Sequence, residues 1–307
     1  MKNKNNDQTK EYTILIAAYN QINLNKAKEK LLALSSWHCL NQSTLNHSPN
    51  EPDKSGLYSI QLHLAGDFVA DISWQRQLRA ICWPLSVDFL CIEQPLWEVP
   101  KGLAVFDMDS TLIKNEVIDE LASEHQVGHL VADITEQAMR GELNFDQSIK
   151  ARARLLKGLS ASAFTSVNQR LVAQDGLDQL FTHLQNKGTK TAILSGGFSQ
   201  FAEPLGNRLG VQHTFTNQLE IDNTGHLTGK LNGKIVNAEY KAELLQELST
   251  TYNLNLNQTV ALGDGANDIP MLQTAGIGIA FHAKPRVIEE VKHAINYAGL
   301  ELVSLCV

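Results

Sequence analysis

The chain has little cysteine, no long apolar run and no surplus of positive charge, and each shortage removes a class of protein. Its four cysteines, Cys39, Cys82, Cys91 and Cys306, form neither a CxxC pair nor a regular framework. That excludes a small scaffold held by disulfides, and a reducing cytoplasm is the expected compartment. No stretch reaches the roughly 20 apolar residues of a membrane-spanning helix, so no membrane partner is expected. Residues 1–10 are polar and rich in Asn and Lys, unlike a secretory leader, and are expected to be a frayed, disordered tail. Lysine and arginine number 26 against 33 aspartates and glutamates, a net charge of −7, and no basic stripe is interleaved with aromatics. Nucleic acid is therefore not an expected partner. A small anionic substrate remains allowed, because a bound cation and one or two local bases invert the field inside a site. There is no internal repeat or low-complexity tract.

What is present suits a soluble globular chain, at 43% hydrophobic and 19% charged residues, and 307 residues suffice for two domains with separate cores. Residues 12–18 read as a strand, and 23–34 carry leucines and lysines at helical spacing. A polar loop follows over 35–54. Residues 57–64 alternate as a strand, 71–81 suit a helix and 87–92 a closing strand. The result is a small α+β unit over residues 11–95, ordered β-α-β-α-β with room for one more strand in the loop. Pro95 and Pro100 mark a linker over 96–102. From 103 to 307 apolar runs alternate with helical patterns, which predicts an α/β domain with a doubly wound parallel sheet. Within it, residues 116–171 are rich in helix formers and punctuated by Gly128, Gly141 and Gly158, as expected of several short helices. Residues 213–236 read as short strands with a turn at 223–225.

Three polar clusters each follow an apolar run. Residues 103–106 lead into Asp107-Met108-Asp109-Ser110-Thr111, residues 192–194 into Ser195-Gly196-Gly197, and residues 260–262 into Gly263-Asp264-Gly265-Ala266-Asn267-Asp268. Lys241 lies in a helical pattern between the last two. A doubly wound sheet gathers such clusters at the carboxyl edge of its strands, where ligands bind. Taken singly, each has a plainer meaning: a helix N-cap for the first, a turn for the second, a tight loop before Pro270 for the third, and solvated surface for the lysine.

In this order the clusters resemble the haloacid dehalogenase superfamily of aspartate-nucleophile phosphatases, and more narrowly its phosphoserine phosphatases. Glu116, the stretch Gly141-Glu142-Leu143-Asn144-Phe145 and Arg152 add to the likeness, which covers about residues 100–300. The resemblance implies a Rossmannoid core with a helical cap over about 115–172. It implies hydrolysis of O-phospho-L-serine, the last step of serine biosynthesis, through an aspartyl phosphate on Asp107, with Asp109 as general acid and base. Mg²⁺ is the implied cofactor, held by the Asp107 carboxylate, the Asp109 carbonyl and Asp264, with Asp268 orienting a metal-bound water. Ser195, Gly196, Lys241 and Asn267 are implied phosphate partners. Glu116 takes the substrate ammonium and Arg152 its carboxylate, Met139 and Phe145 form an apolar wall, and Arg140 is a neighbour. The small amino-terminal unit resembles the ACT-type regulatory modules that precede some of these enzymes. Two other readings remain open, a phosphotransferase acting on an alcohol such as homoserine, and an amino-acid-sensing module on an inert scaffold. The sequence is also compatible with a homo-oligomer.

Overall fold

The computed structural model describes residues 10–34, 36–43, 56–66 and 70–307. Apart from Lys10, the tail expected at residues 1–10 lies outside them. The strands are β1 (Lys10–Ala18), β2 (His38–Ser43), β3 (Tyr58–Gly66), β4 (Asp88–Glu93), β5 (Leu103–Phe106), β6 (Lys190–Phe198), β7 (His213–Ile221), β8 (Leu227–Asn232), β9 (Thr259–Gly263), β10 (Ile277–Phe281) and β11 (His293–Ile295). All belong to one sheet in the order β2-β3-β1-β4-β11-β10-β9-β5-β6-β7-β8. The run from β11 to β7 is parallel, and β8 returns antiparallel to β7. This is the expected doubly wound core.

The central strands read as unbroken apolar runs because both of their faces are buried. Ala104 and Phe106 point into one core with Ile193, Val260 and Leu262. Leu103 and Val105 point the other way, with Ala192, Leu194 and Ala261. A fully buried aliphatic side chain contributes about 1.5–3 kcal/mol, so two packed faces hold the short β5 firmly. The site is built on this strand.

Residues 10–93 form a second, antiparallel sheet region with helices Gln21–Leu32 and Ile72–Cys82 between its strands. The strand order β2-β3-β1-β4 is that of a split βαβ arrangement. Its extra strand, β2, falls in the expected loop, and all six of its residues are exposed. With neither face buried, β2 carries no alternation to read. The stretch expected to be a linker opens with a short helix, Gln94–Glu98, and Lys101 Nζ donates to the carbonyls of Leu96 and Val99 at 2.5 and 2.7 Å.

β4 joins the two regions by pairing antiparallel with β11, Phe89 opposite Ala294. Polar side chains reinforce the seam on both sides of β11. Asp88 accepts the backbone N–H groups of Asn296, Tyr297 and Ala298 at 2.9, 2.8 and 2.7 Å. Arg79 donates to the carbonyls of Ile288, Val291 and Lys292 at 2.8, 3.0 and 3.0 Å. Both are almost fully buried, and buried charges persist only when hydrogen-bonded in this way.

Between β5 and β6 lies the expected helical insertion: Val117–Glu124, Gly128–Met139, Phe145–Leu155 and Ala163–Asn168. Gly141, at φ +78°, ends the second helix. Asn144 and Gln147 then start the third with a reciprocal capping box. The insertion is anchored on the β7–β8 hairpin, where Gly158 N donates to Leu227 O at 2.8 Å and Leu227 N to Leu159 O at 2.9 Å.

Candidate active site

The carboxyl ends of β5, β6 and β9 meet at one rim, and the three polar clusters of the sequence meet with them. Asp107 follows β5, and its own N–H donates to Leu262 O at 2.9 Å. The chain then turns sharply: Met108 O receives the N–H groups of Thr111, Leu112 and Ile113 at 3.2, 2.8 and 3.2 Å. Ser110 adopts φ +55° to make that turn. Asp107 and Asp109 are thereby placed on one tight loop.

Lys241 is the buried cation of the site. It projects from helix Ala238–Thr251 with no exposure, its Nζ 3.0 Å from Asp107 Oδ2 and 2.6 Å from Asp268 Oδ1. Burial opposes its charge, but the two carboxylates outweigh burial and hold its pKa above the ordinary lysine value. The other Asp268 oxygen accepts Gly265 N–H at 2.9 Å, so both oxygens of Asp268 are engaged within the protein. Gly263 is required by close approach, since a Cβ there would lie 2.4 Å from Asp268 Cγ.

Asp107, Asp264 and Asp268 each offer an oxygen within 4.8 Å of the others. Among the described residues, Asp264 has an ion-pair partner only in the exposed Lys284, at 3.7 Å. Asp109 Oδ1 is buried without a hydrogen-bond partner. Negative charge is thus in excess: Asp107, Asp109, Glu116, Asp264 and Asp268 face one fully buried lysine, with Arg152 and Lys284 nearby. Burial first, then Glu116 and Asp107, pushes the Asp109 carboxyl well above the usual carboxylate range. Burial followed by Asp268 and Asp107 raises Asp264 to about 8. Burial and Asp107 raise Asp268 to about 7, with Lys241 opposing them. An oxygen-only donor set short of positive charge fits a hard divalent cation.

Ser195, Gly196 and Gly197 continue β6 to its end, rather than forming the expected turn, and helix Ser199–Leu209 starts directly after Phe198. Ser195 is buried and its Oγ accepts Gly197 N–H at 2.9 Å. Asn267 lies beside Gly265 on the short 3₁₀ turn Ala266–Asp268.

The insertion brings two further charged residues to this rim. Glu116 stands at the N-cap of its helix but makes no capping bond; it accepts instead from Ser110 Oγ at 2.9 Å. Burial raises its pKa against the pull of Ser110 and Lys284. Arg152 is largely buried, with Nε unpartnered and its charge facing Glu116, Asp119 and Asp109. Phe145 packs on the core and covers Gly196, where an added Cβ would come within 2.6 Å of its ring.

Two sequence-derived neighbours are not assembled with these. Met139 is 78% exposed at the end of its helix, so it does not share an apolar wall with Phe145. Arg140 is exposed and paired with Glu142 at 2.7 Å and Glu136 at 3.5 Å. Both sit at the Gly141 turn, where the backbone leaves the helix and points them outward. Asn217 and Lys284 were missed by sequence reasoning. Lys284 follows β10 and reaches Asp264 from the adjacent strand end; only the parallel order brings them together.

The model of the haloacid dehalogenase-like hydrolases matches residues 104–273, more than half of the chain and all three clusters. The chain belongs to this family. Its curated relatives among these hydrolases include the phosphoserine phosphatase of Haemophilus influenzae, 46% identical over 199 residues, covering 65% of this chain and 63% of that one. The match thus spans less than two thirds of that relative's length. A second, the phosphoserine phosphatase of Streptococcus thermophilus, is 46% identical over 200 residues, 65% of this chain and 93% of its own. A family hydrolase of known structure from Salmonella enterica serovar Typhi superposes on both regions, with a TM-score of 0.84 at 32% identity over 96% of this chain and 98% of that one.

A pH dependence follows from the crowded acids. The carboxyls of Asp264 and Asp268, at about 8 and about 7, lie above their value in an unfolded chain. The folded state therefore binds more protons between those values, and its stability falls as pH rises through that window. Thermal melts in a chelating buffer from pH 5 to 8.5 should show a falling midpoint, and added Mg²⁺ should flatten the slope. A midpoint that rises across this range without metal would contradict the charge arrangement.

Proposed function

We propose that the chain is a divalent-cation-dependent phosphomonoesterase that releases L-serine and inorganic phosphate from O-phospho-L-serine. One observation carries the reaction type: Asp107, beside a buried lysine, shares a tight turn with Asp109, whose environment favours the protonated acid. Asp107 attacks phosphorus, and the bond from phosphorus to the serine oxygen breaks as Asp109 gives that oxygen its proton. Water then attacks the aspartyl phosphate, Asp109 takes the proton back, and phosphate leaves with Asp107 restored. Lys241 holds Asp107 in line and balances charge on the transferring group. Ser195 Oγ and the Gly196 N–H are offered as phosphate donors, with Asn267 beside them. Mg²⁺ suits Asp107, the Asp109 carbonyl and Asp264, where it would neutralise phosphoryl charge, and Asp268, already engaged by Lys241 and Gly265, stays outside that set.

The substrate assignment rests on the insertion. Glu116 provides an anion for the ammonium, and the largely buried guanidinium of Arg152, whose Nε has no hydrogen-bond partner among the described residues, suits a carboxylate. Phosphoserine phosphatases among the relatives support the same choice. Four free cysteines suit a reducing cytoplasm, and no helix among the described residues is long and apolar enough to cross a membrane.

Phosphate release should require Mg²⁺ and favour O-phospho-L-serine over phosphosugars, nucleotides and phosphothreonine. In the same assay, Arg152→Ala should raise KM for phosphoserine about 100-fold, the scale of a lost charge-assisted pair. It should leave a phosphate ester without a carboxylate within a few fold. Equal losses on both would reject the role of Arg152, and activity confined to other esters would reject the substrate.

A further inference from the structure

Asn217 lies on β7 with 1% of its surface exposed, and both ends of its amide are used. Nδ2 donates to Gly196 O at 2.7 Å, and Oδ1 accepts Val236 N–H at 3.0 Å. The amide orientation is forced, since the reverse would set oxygen against a carbonyl and NH₂ against an N–H. The peptide between Gly196 and Gly197 is thereby held at both ends: its carbonyl by Asn217, its N–H by Ser195 Oγ at 2.9 Å.

This outside support answers a local weakness. Two successive glycines leave the backbone with unusual freedom. A side chain at either would crowd its neighbours, since a Cβ at 196 would meet the Phe145 ring at 2.6 Å and one at 197 would meet Asp109 Oδ2 at 2.9 Å. This strand end stays bare because Phe145 and Asp109 lie so close to it, and its rigidity must come from elsewhere. A hydroxyl has one proton and two lone pairs. With Gly197 N–H directed onto Ser195 Oγ, that oxygen's own proton is turned away from the peptide.

We infer that Asn217 is a positioning residue for phosphoryl binding, fixing the peptide of Gly196 and Gly197 so that the Ser195 hydroxyl donates to the substrate phosphate. The inference rests on the phosphoryl-transfer reading given above. Its Oδ1, held by Val236 N–H, anchors the amide itself on the segment entering helix Ala238–Thr251.

A double-mutant cycle tests this. Asn217→Ala should lower kcat about 10- to 100-fold and raise KM by up to about tenfold, the scale of losing one preorganised donor. In a Ser195→Ala background the same change should cost less than about threefold, because the group it positions is gone. A full loss in both backgrounds would mean a general structural role and overturn the proposal. Circular dichroism of each variant guards against misfolding, and Asn217→Asp, which when ionised accepts from Val236 N–H but cannot donate to Gly196 O, should fall as far as the alanine variant at about pH 8. Wild-type activity in it there would also overturn the proposal. Calorimetric binding of inorganic phosphate with Mg²⁺ supplies a readout independent of the substrate. Asn217→Ala should weaken it about tenfold, again only where Ser195 is intact. Should the wild type bind phosphate with this pattern yet not hydrolyse O-phospho-L-serine, the substrate would be wrong and Asn217's role retained.

Discussion

Asp107→Asn is expected to lower phosphate release by at least about 10⁴-fold, the scale seen when a covalent nucleophile is removed, while the fold survives. An amide is isosteric with the carboxylate and can still accept Met108 N–H, which donates to Asp107 Oδ1 at 2.7 Å. Lys241 keeps its bond to Asp268. Asp107 is also among the charges that raise Asp109, Asp264 and Asp268. Removing its charge relieves that repulsion but also takes away one of the two carboxylates facing Lys241, so the two effects offset and the metal-free variant should melt close to the wild type. Residual turnover within tenfold of wild type would remove Asp107 as nucleophile. A large fall in melting temperature would show instead that its charge is structurally required.

Lys241→Met is expected to damage both activity and stability. The variant keeps the length and apolar stem but leaves Asp107 and Asp268 facing each other without the ammonium between them. Removing one partner of a buried ion pair costs about 3–5 kcal/mol, and kcat should fall about 10³-fold as the transferring phosphoryl loses its neighbouring charge. The stability loss should grow with pH. In the wild type the raised lysine contributes its full stabilisation below 10.5, the ordinary lysine value, so it is constant through the neutral range. In the variant, Asp268 loses the one charge that held its pKa down, so the folded state takes up a proton more readily than the unfolded chain. Stability then declines as pH rises toward and beyond about 7, the wild-type value for Asp268. Melts of both proteins at pH 5.5 and 8 give the comparison; a pH-independent difference would count against the coupling of Lys241 to two carboxylates.

The candidate cluster was readable because its polar residues stand at strand ends. Each apolar run of residues 103–106, 192–194 and 260–262 is buried and stops where polar or glycine residues begin. Lys241 alone among these looked like surface, since a lysine in a helix carries no local mark of burial. Its partners lie 134 and 27 positions away in sequence, at 107 and 268, and only the folded sheet supplies them. Met139 and Arg140 stand apart from the cluster for the opposite reason. Their position next to the Gly141 turn was plain, but the direction their side chains take there depends on tertiary packing. β2 escaped because a strand exposed on both faces has no hydrophobic period. Asn217 was invisible as well, since a polar residue in a half-buried strand looks the same whether it faces solvent or grips a backbone carbonyl.

The seam between β4 and β11 also bears on how the protein can be cut. A parallel sheet has no natural stopping place, and its outermost strand offers a row of unpaired N–H and C=O groups to any neighbouring chain. β11 would be that strand in a fragment beginning near residue 100. The loop after it would lose the Asp88 carboxylate, and the carbonyls before it the Arg79 guanidinium. Such a fragment keeps every group of the reaction centre and should still self-associate through its bare flank. Residues 88–93 serve the hydrolase half as a selvedge, the woven border that keeps a cloth from fraying.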